Sequence, residues 1–384
     1  MTRSLAVLLV LMLAPVGVEA QSVLGIGRFG FPLSSVDARG RALGGVGVGL
    51  GGAILSATDP AAAADINAVS FIFSGGTSFV DVSRGDDVSS DFTTTRFPLV
   101  GASYFIEKVG VISFTFSSLV DQEWEDQASS VIDVEGGGEI FVTDIFQSDG
   151  SVGALEIGLA RRFGGIAVGA RVGRYVGDLR RDLTRVVDSV SVGSGFAPFE
   201  TSAVWEYSGF TGIVGASTVI DEQVHLAASV RFGGDLDADP VEDTEARPVT
   251  ISLPTELRLG GSVLLAPSLF ANLGFETADW SDTDPDGQRA WSIGGGIEWT
   301  GSRILGKDGA WRIGARRERL AIKPAGAASA SERTLSAGLA IVLARSSAGA
   351  LGSVDFAFEL GDRSAGDLSE DILRSTVTLR VAGF

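Results

Sequence analysis

The sequence predicts an all-β fold, a transmembrane antiparallel β-barrel of about 14 strands whose lumen is plugged by the N-terminal segment. Three observations predict it. Apolar and polar residues alternate with period two from about Asn67 to the last residue. Short and long connections between these segments strictly alternate. An export signal opens the chain.

The signal comes first. Met1-Thr2-Arg3 supplies a basic start, the apolar run from Leu5 to Val16 is too short to span a bilayer, and Val18-Glu19-Ala20 places small residues before a cut. Residues 1–20 are expected to be a signal peptide cleaved after Ala20. The chain has no cysteine, so no lipid anchor on the mature N-terminus and no disulfide is available. Beyond Ala20 no apolar run approaches the roughly 20 residues of a membrane helix. Yet 45% of residues are hydrophobic and mean hydropathy is +0.28, and 52 glycines argue against helices. The apolar material therefore belongs to strands. A net charge of −18 argues against a nucleic-acid partner, which would require a basic surface.

Residues 21–66 lack the alternation and are rich in Gly and Ala, too apolar for a free tail. They are expected to be covered, as a plug. Residues 67–384 form the barrel. Val354-Asp355-Phe356-Ala357-Phe358-Glu359-Leu360 shows one greasy face, and Trp311 to Arg316, Val224 to Phe232 and Leu155 to Ala160 repeat the pattern. A soluble sandwich would also alternate; loop lengths distinguish the two. Long acidic connections are expected at Ser83–Asp91, Asp121–Gly150, Gly177–Thr201, Gly234–Ser252, Asp279–Gln288, Ala321–Glu332 and Gly361–Asp371. Tight turns are expected near Glu107-Lys108, Gly164-Gly165, Asp221-Glu222, Ala266-Pro267, Gly301–Gly309 and Ser346–Gly349. This is the asymmetry of extracellular loops and periplasmic turns in the outer membrane. The strand-like stretch Glu139–Gln147 would make the count odd and is assigned to an extracellular loop. On the lumen side the pattern places small residues such as Gly158, Gly169, Gly260, Gly294 and Gly314. With them go Arg162, Arg171, His225, Arg231, Glu256, Arg258, Glu276, Glu298, Arg312, Arg316, Asp355 and Glu359, charges tolerated in a wet, paired interior.

Three stretches carry a family likeness: Gly40-Arg41-Ala42-Leu43-Gly44-Gly45-Val46-Gly47-Val48 followed by Asp59-Pro60-Ala61-Ala62-Ala63-Ala64; Pro254 to Gly261 leading to Phe275 to Asp282; and Glu359 to Arg363 followed by Asp371 to Phe384. Here the sequence resembles the FadL-type family of long-chain fatty-acid and hydrocarbon transporters. The first stretch looks like that family's hatch, with Asp59 where the family usually has Asn; both initiate turns before Pro. The resemblance implies passive uptake of hydrophobic small molecules by hatch rearrangement, with release through a kinked strand in the wall. Arg39, Asp59, Pro60 and Asn67 are the residues expected to shape the hatch and its gating.

Within the second strand, Phe97-Pro98-Leu99 interrupts the ladder because Pro cannot donate, so Pro98 marks either a lateral opening or a simple bulge. Phe384 matches the aromatic terminus of the assembly signal of such barrels, though it falls on the face opposite Leu373, Val377 and Leu379. Expected partners are a hydrophobic ligand, outer-membrane lipid and the barrel-assembly machinery.

Other chemistry is not supported. Gly47-Val48-Gly49-Leu50-Gly51-Gly52 has GxGxxG spacing without a βαβ context. Asp282, Asp284 and Asp286 have calcium-loop spacing with Gly287 sixth, but Ile293 stands where the bidentate Glu belongs, so a solvated acidic loop is favoured. The single histidine, His225, excludes a histidine metal cluster and falls on the polar face, away from where a barrel phospholipase needs it. No enzyme activity, metal or cofactor is expected. Two alternatives remain open: a structural or secretion-associated plugged barrel whose loops dock a protein partner, and an ion-conducting porin, which the plug disfavours.

Overall fold

A computed structural model of the chain describes residues 22–25, 29–34, 36–84, 88–134, 138–187, 199–241, 246–323, 329–346 and 349–383. The expected signal peptide and Phe384 lie outside the described residues.

The barrel closes with 14 antiparallel strands. They are β1 Ser70–Arg84, β2 Val88–Ile106, β3 Gly110–Asp121 continued by Trp124–Val134, β4 Gly138–Phe163 and β5 Ile166–Val187. Next come β6 Phe199–Ile220, β7 Val224–Phe232 continued by Gly234–Pro240, β8 Val249–Leu253 continued by Glu256–Ala266, and β9 Leu269–Asp279. The last are β10 Arg289–Ile304, β11 Lys307–Arg319, β12 Ser331–Ser346, β13 Gly349–Ala365 and β14 Leu368–Ala382. Each pairs with its sequence neighbours, and β14 closes on β1 through Leu368↔Arg84 to Ala382↔Ser70. Except above Leu99 and Ser117, where β2 and β3 part, closure leaves no free sheet edge among the described residues, which is what lets strands sit in lipid.

The outward residues are the apolar half of each alternation. Phe79, Ile157, Val172, Phe210, Leu273, Ile313, Leu335 and Leu360 are all exposed, and they form the band that a bilayer covers. At one end tight turns join the strands, and left-handed backbone is needed there. Lys108, Asp221, Glu222, Ser268 and Leu305 all have positive φ, as do Gly164 and Gly306, matching the primed turns that twisted hairpins favour. Phe163, Tyr104 and the facing pair Trp299 and Trp311 ring this short-turn end, as interfacial aromatics do.

The other end is taller than the sequence suggested. Glu139–Gln147 is not loop: it is the first part of β4, paired with Trp124–Val134 of β3 and, from Val142, with β5. The count stays even because both arms extend existing strands. Likewise β5 runs to Val187, β7 to Pro240, and β13 and β14 meet at the two-residue turn Gly366-Asp367 in place of a long loop. At the short-turn end, Gly301–Gly309 contracts to the turn Leu305-Gly306. In the extensions at the taller end the inward residues, such as Leu179, Leu236 and Ala238, are buried, and the outward ones, such as Arg180, Asp235 and Asp237, are charged and exposed, so the apolar outward stripe that marks the lipid-facing strands is missing.

The segment before β1 lies inside the barrel. It contains a 3-10 turn Val23–Gly25, a two-residue strand Phe31–Pro32, helix α1 Ala38–Ala42 and a 3-10 turn Pro60–Asp65. Ala38, Ala42 and Leu43 are fully buried. The lumen-side glycines make room for it: a Cβ on Gly169 would lie 2.3 Å from the Pro60 carbonyl oxygen, on Gly260 2.3 Å from that of Val48, and on Gly294 1.9 Å from that of Gly44.

Candidate functional site

Three features meet in the barrel interior: the buried N-terminal segment, the charges that hold it, and an interruption in the wall.

Asp37 caps α1, its Oδ1 accepting from the Gly40 amide at 3.0 Å, the ordinary role of Asp before a helix. Arg39 leaves the same helix and donates to both Glu298 oxygens, at 3.0 and 2.6 Å, and to the Gly51 carbonyl at 2.7 Å. Glu298 also accepts from Arg312 at 2.7 Å, Arg312 reaches Asp355 at 2.6 Å, and Arg380 pairs with both Asp355 and Asp37. The charges alternate around a closed circuit that starts and ends on α1 and passes through β10, β11, β13 and β14. Burial disfavours the Asp37 carboxylate, but Arg380, the Gly40 amide and Arg39 together outweigh it and hold the group below its ordinary range. A second network gathers Arg316, Arg363 and Arg374 on Glu332, while Arg41 reaches Glu359 at 3.1 Å. On the far wall, Glu156 pairs with Arg171 and Arg231, and Arg171 donates to the Ser56 carbonyl at 2.7 Å.

The Gly-rich run has a packing explanation. Gly44 (φ 74°) and Gly49 (φ 79°) have left-handed backbone, and a Cβ on either would meet wall backbone at 2.3 and 2.6 Å. Only glycine satisfies both constraints. The GxGxxG spacing is thus a close approach to the wall, with no βαβ unit behind it.

Asp59 caps the turn Pro60–Asp65, accepting from the Gly49, Ala61 and Ala62 amides at 3.1, 3.1 and 3.2 Å. Burial raises its carboxyl above the ordinary range even against those three donors. The Pro60 ring packs on the lumen face at Gly215, 3.0 Å from a Cβ placed there. Arg39, Asp59 and Pro60 therefore all sit in the buried segment, though on different sides of it. Asn67 does not join them: it is exposed on the connector to β1 and makes no side-chain hydrogen bond among the described residues. At that connector Asp65 pairs with Arg162 at 2.5 Å, which lowers the Asp65 carboxyl.

Pro98 lies at a bulge in β2, where the register against β1 jumps between Ser74↔Leu99 and Gly76↔Arg96. Pairing of β2 with β3 stops at the same level, Leu99↔Ser117. Above it, β2 pairs with β1 and β3 with β4, but among the described residues not with each other. The side of β3 that β2 leaves is taken by the two-residue strand of the buried N-terminal segment, through Phe31↔Asp121 and Pro32↔Val120, and Leu33 donates its amide to the Leu119 carbonyl at 2.7 Å. Across the gap Arg96 reaches Asp121 at 2.9 Å and also binds Glu123. The sequence marked Pro98 but not the turn of β3 toward the interior, because Leu119-Val120-Asp121 contains no breaker.

A cavity of about 120 Å³ lies beside this junction, lined by Phe31 to Ser34 of the plug, Leu119, Trp280 and Leu320, with Arg41, Glu276, Arg316 and Glu318 on its polar side. Of the acidic loop, Asp284 accepts from the Phe29 amide at 2.9 Å and from Asp286, so it ties loop to plug.

No protein-family model matches the sequence, and no curated protein matches it. Solved structures do match. The Ralstonia pickettii toluene transporter TbuX superposes with a TM-score of 0.61 at 13% identity, over 92% of this chain and 99% of that one. A Pseudomonas aeruginosa FadL homologue gives 0.58 at 12%, over 92% and 99%. The Pseudomonas putida toluene transporter TodX gives 0.56 at 13%, over 92% and 98%. The chain has the FadL-type fold. At such identities the likeness is one of architecture, and the ion circuit, Asp59 and Arg96 are read from this FadL-type barrel alone.

Proposed function

We propose that this barrel is an outer-membrane transporter for passive uptake of hydrophobic small molecules, long-chain fatty acids or hydrocarbons. Residues 21–66 act as its hatch, and the cargo leaves sideways between β2 and β3. The observation that carries the reading is the wall gap above Leu99 and Ser117, sealed from inside by the hatch strand Phe31–Pro32. An interior occupied by the hatch disfavours a straight aqueous path, whereas the break in the wall lies beside the cavity at Leu119 and would join it to lipid once Phe31–Pro32 moved. Hatch and gap share hydrogen bonds, so displacing Phe31–Pro32 unseals the wall.

The driving force is transfer of apolar surface, about 0.8 kcal/mol per CH₂ buried, which favours long chains and requires no cofactor or energy source. The mixed lining of the cavity suits a molecule with an apolar body and a small polar end. In this reading the short-turn end faces the periplasm.

A second reading, a plugged structural barrel with partner-docking loops, draws on the density of ion pairs holding the hatch. Native mass spectrometry with lipid extraction separates the two. A fatty acid or hydrocarbon that remains with the detergent-purified chain and is lost when residues 21–64 are removed supports transport. A ligand-free barrel in both forms supports the plugged structural role.

A further inference from the structure

On the outer wall, two successive rows of directly opposed residues cross β9 to β14 and β1. The lower row is Leu273, Gly295, Ala315, Leu335, Leu360, Leu373 and Phe79. One step above it, Arg317 opposes Arg333, and Asp362, Asp371, Asp81 and Asp91 follow strand by strand. All of these charges point outward where the apolar band ends. None forms an ion pair among the described residues, and like charges directly opposed across strands destabilise a sheet. Below the two arginines the apolar row dips at Gly295 and Ala315 and rises on either side at Leu273 and Leu335, both more than half exposed. The result is an apolar groove on the lipid-facing wall, with Arg317 and Arg333 side by side at its upper end and Asp362, Asp371 and Asp81 continuing that edge away from Arg317.

We propose that this groove is a specific site for a phosphate-bearing membrane lipid, with one acyl chain lying over Gly295 and Ala315 and the phosphate held by Arg317 and Arg333. The directly opposed arginine pair selects the occupant. Guanidinium binds phosphate with two parallel hydrogen bonds, and an anion between the two arginines removes their mutual repulsion. Asp362, next to Arg333, disfavours an anion farther along the row and so places the phosphate nearer Arg317. The dip is apolar and narrow, which suits an alkyl chain. The site rests on the barrel being embedded in lipid and is independent of the hatch and of any cargo.

The test is native mass spectrometry of the full chain in detergent, with dioleoyl phosphatidic acid, dioleoylglycerol and inorganic phosphate as separate probes. Wild type is expected to retain phosphatidic acid under activation that strips dioleoylglycerol. Occupancy should fall about tenfold, equivalent to about 1.4 kcal/mol, both in R317Q/R333Q and in A315F, which fills the dip and keeps both arginines. Heat-dependent gel mobility checks that the variants are folded. Should either misfold, the preference of wild type for phosphatidic acid over dioleoylglycerol decides alone. Equal retention of the two lipids, or unchanged retention in folded variants, overturns the proposal. Retention of inorganic phosphate by itself also overturns it, assigning an anion site in place of a lipid site.

Discussion

Arg96 on β2 and Asp121 on β3 meet at 2.9 Å across a stretch of wall where their strands share no backbone pairing. Asp121 is almost fully buried, and Arg96 about one-fifth exposed. The pair is therefore a side-chain bridge doing what a hydrogen-bond ladder does elsewhere in the barrel, and a side-chain bridge can open without breaking the sheet.

Removing the bridge should loosen the gap selectively. Arg96→Gln leaves a buried carboxylate with less compensation, a cost of about 1–3 kcal/mol, concentrated where β2 and β3 part. Hydrogen exchange of amides 118–123 and 31–33 should accelerate, while β10 to β13 remain as protected as in wild type. If the transport reading holds, release of a bound hydrophobic ligand should quicken in the same variant. Uniform acceleration over the barrel would show that Arg96 supports the fold as a whole and not the gap.

Two glycines of the hatch, seven residues apart, should respond differently to the same change. Gly44→Ala places a methyl 2.3 Å from the Ala315 carbonyl oxygen on a left-handed backbone, a strain of about 1–3 kcal/mol. Gly51→Ala meets nothing nearer than the Ser262 hydroxyl at 3.8 Å and should stay within about 0.5 kcal/mol of wild type. Planar-bilayer recordings read the difference: ion leak should rise for G44A, whose hatch cannot seat, and stay at the wild-type level for G51A.

The barrel was legible in the sequence because a lipid-facing wall forces a strict period of two. Leu273 and Leu360 announce their orientation without any knowledge of their neighbours. The buried segment before β1 was legible as an exception to that period. What stayed hidden was long-range or lacked a periodic mark. Arg39 and Glu298 are 259 positions apart, and no local pattern says that they meet. Leu119 to Asp121 turn toward the interior because the hatch strand offers them backbone partners, a cause located elsewhere in the chain. Glu139–Gln147 looked like a strand and was one, but its pattern could not show that β3 extends beside it.

The ion pairs of the hatch should rank by burial, not by number. Glu298→Gln strips the shared partner from Arg39 and Arg312, all three side chains being at most 15% exposed. Breaking such a pair costs about 3–5 kcal/mol because an uncompensated charge is left behind. Asp65→Asn breaks an equally short contact with Arg162, yet both side chains are about a third exposed or more, so the loss should be at most about 1 kcal/mol. Limited proteolysis of the hatch should show E298Q cut readily and D65N cut at nearly the wild-type rate.

Asp59 makes the hatch sensitive to pH with a definite sign. Its carboxyl is raised above the ordinary 3.8, first by burial, with the Gly49 and Ala62 amides, the charge of His225 and the Ala61 amide opposing. A group whose folded-state pKa is raised contributes stability that is fully present below its unfolded value and is lost as pH rises through the folded value. Above the unfolded value Asp59 therefore costs the hatch stability, and Asp59→Asn removes that cost while keeping one side-chain oxygen as acceptor. Relative to wild type, D59N should gain stability from about pH 4 upward and level off above the raised pKa. Protection factors of the Gly49, Ala61 and Ala62 amides, compared at pH 4 and pH 8, provide the measurement. Asp37, whose carboxyl is lowered by Arg380, changes both proteins alike as pH falls and cancels from the comparison. If D59N instead loses protection equally at both pH values, the negative charge itself holds the turn, and burial is outweighed by the three amides that point at it.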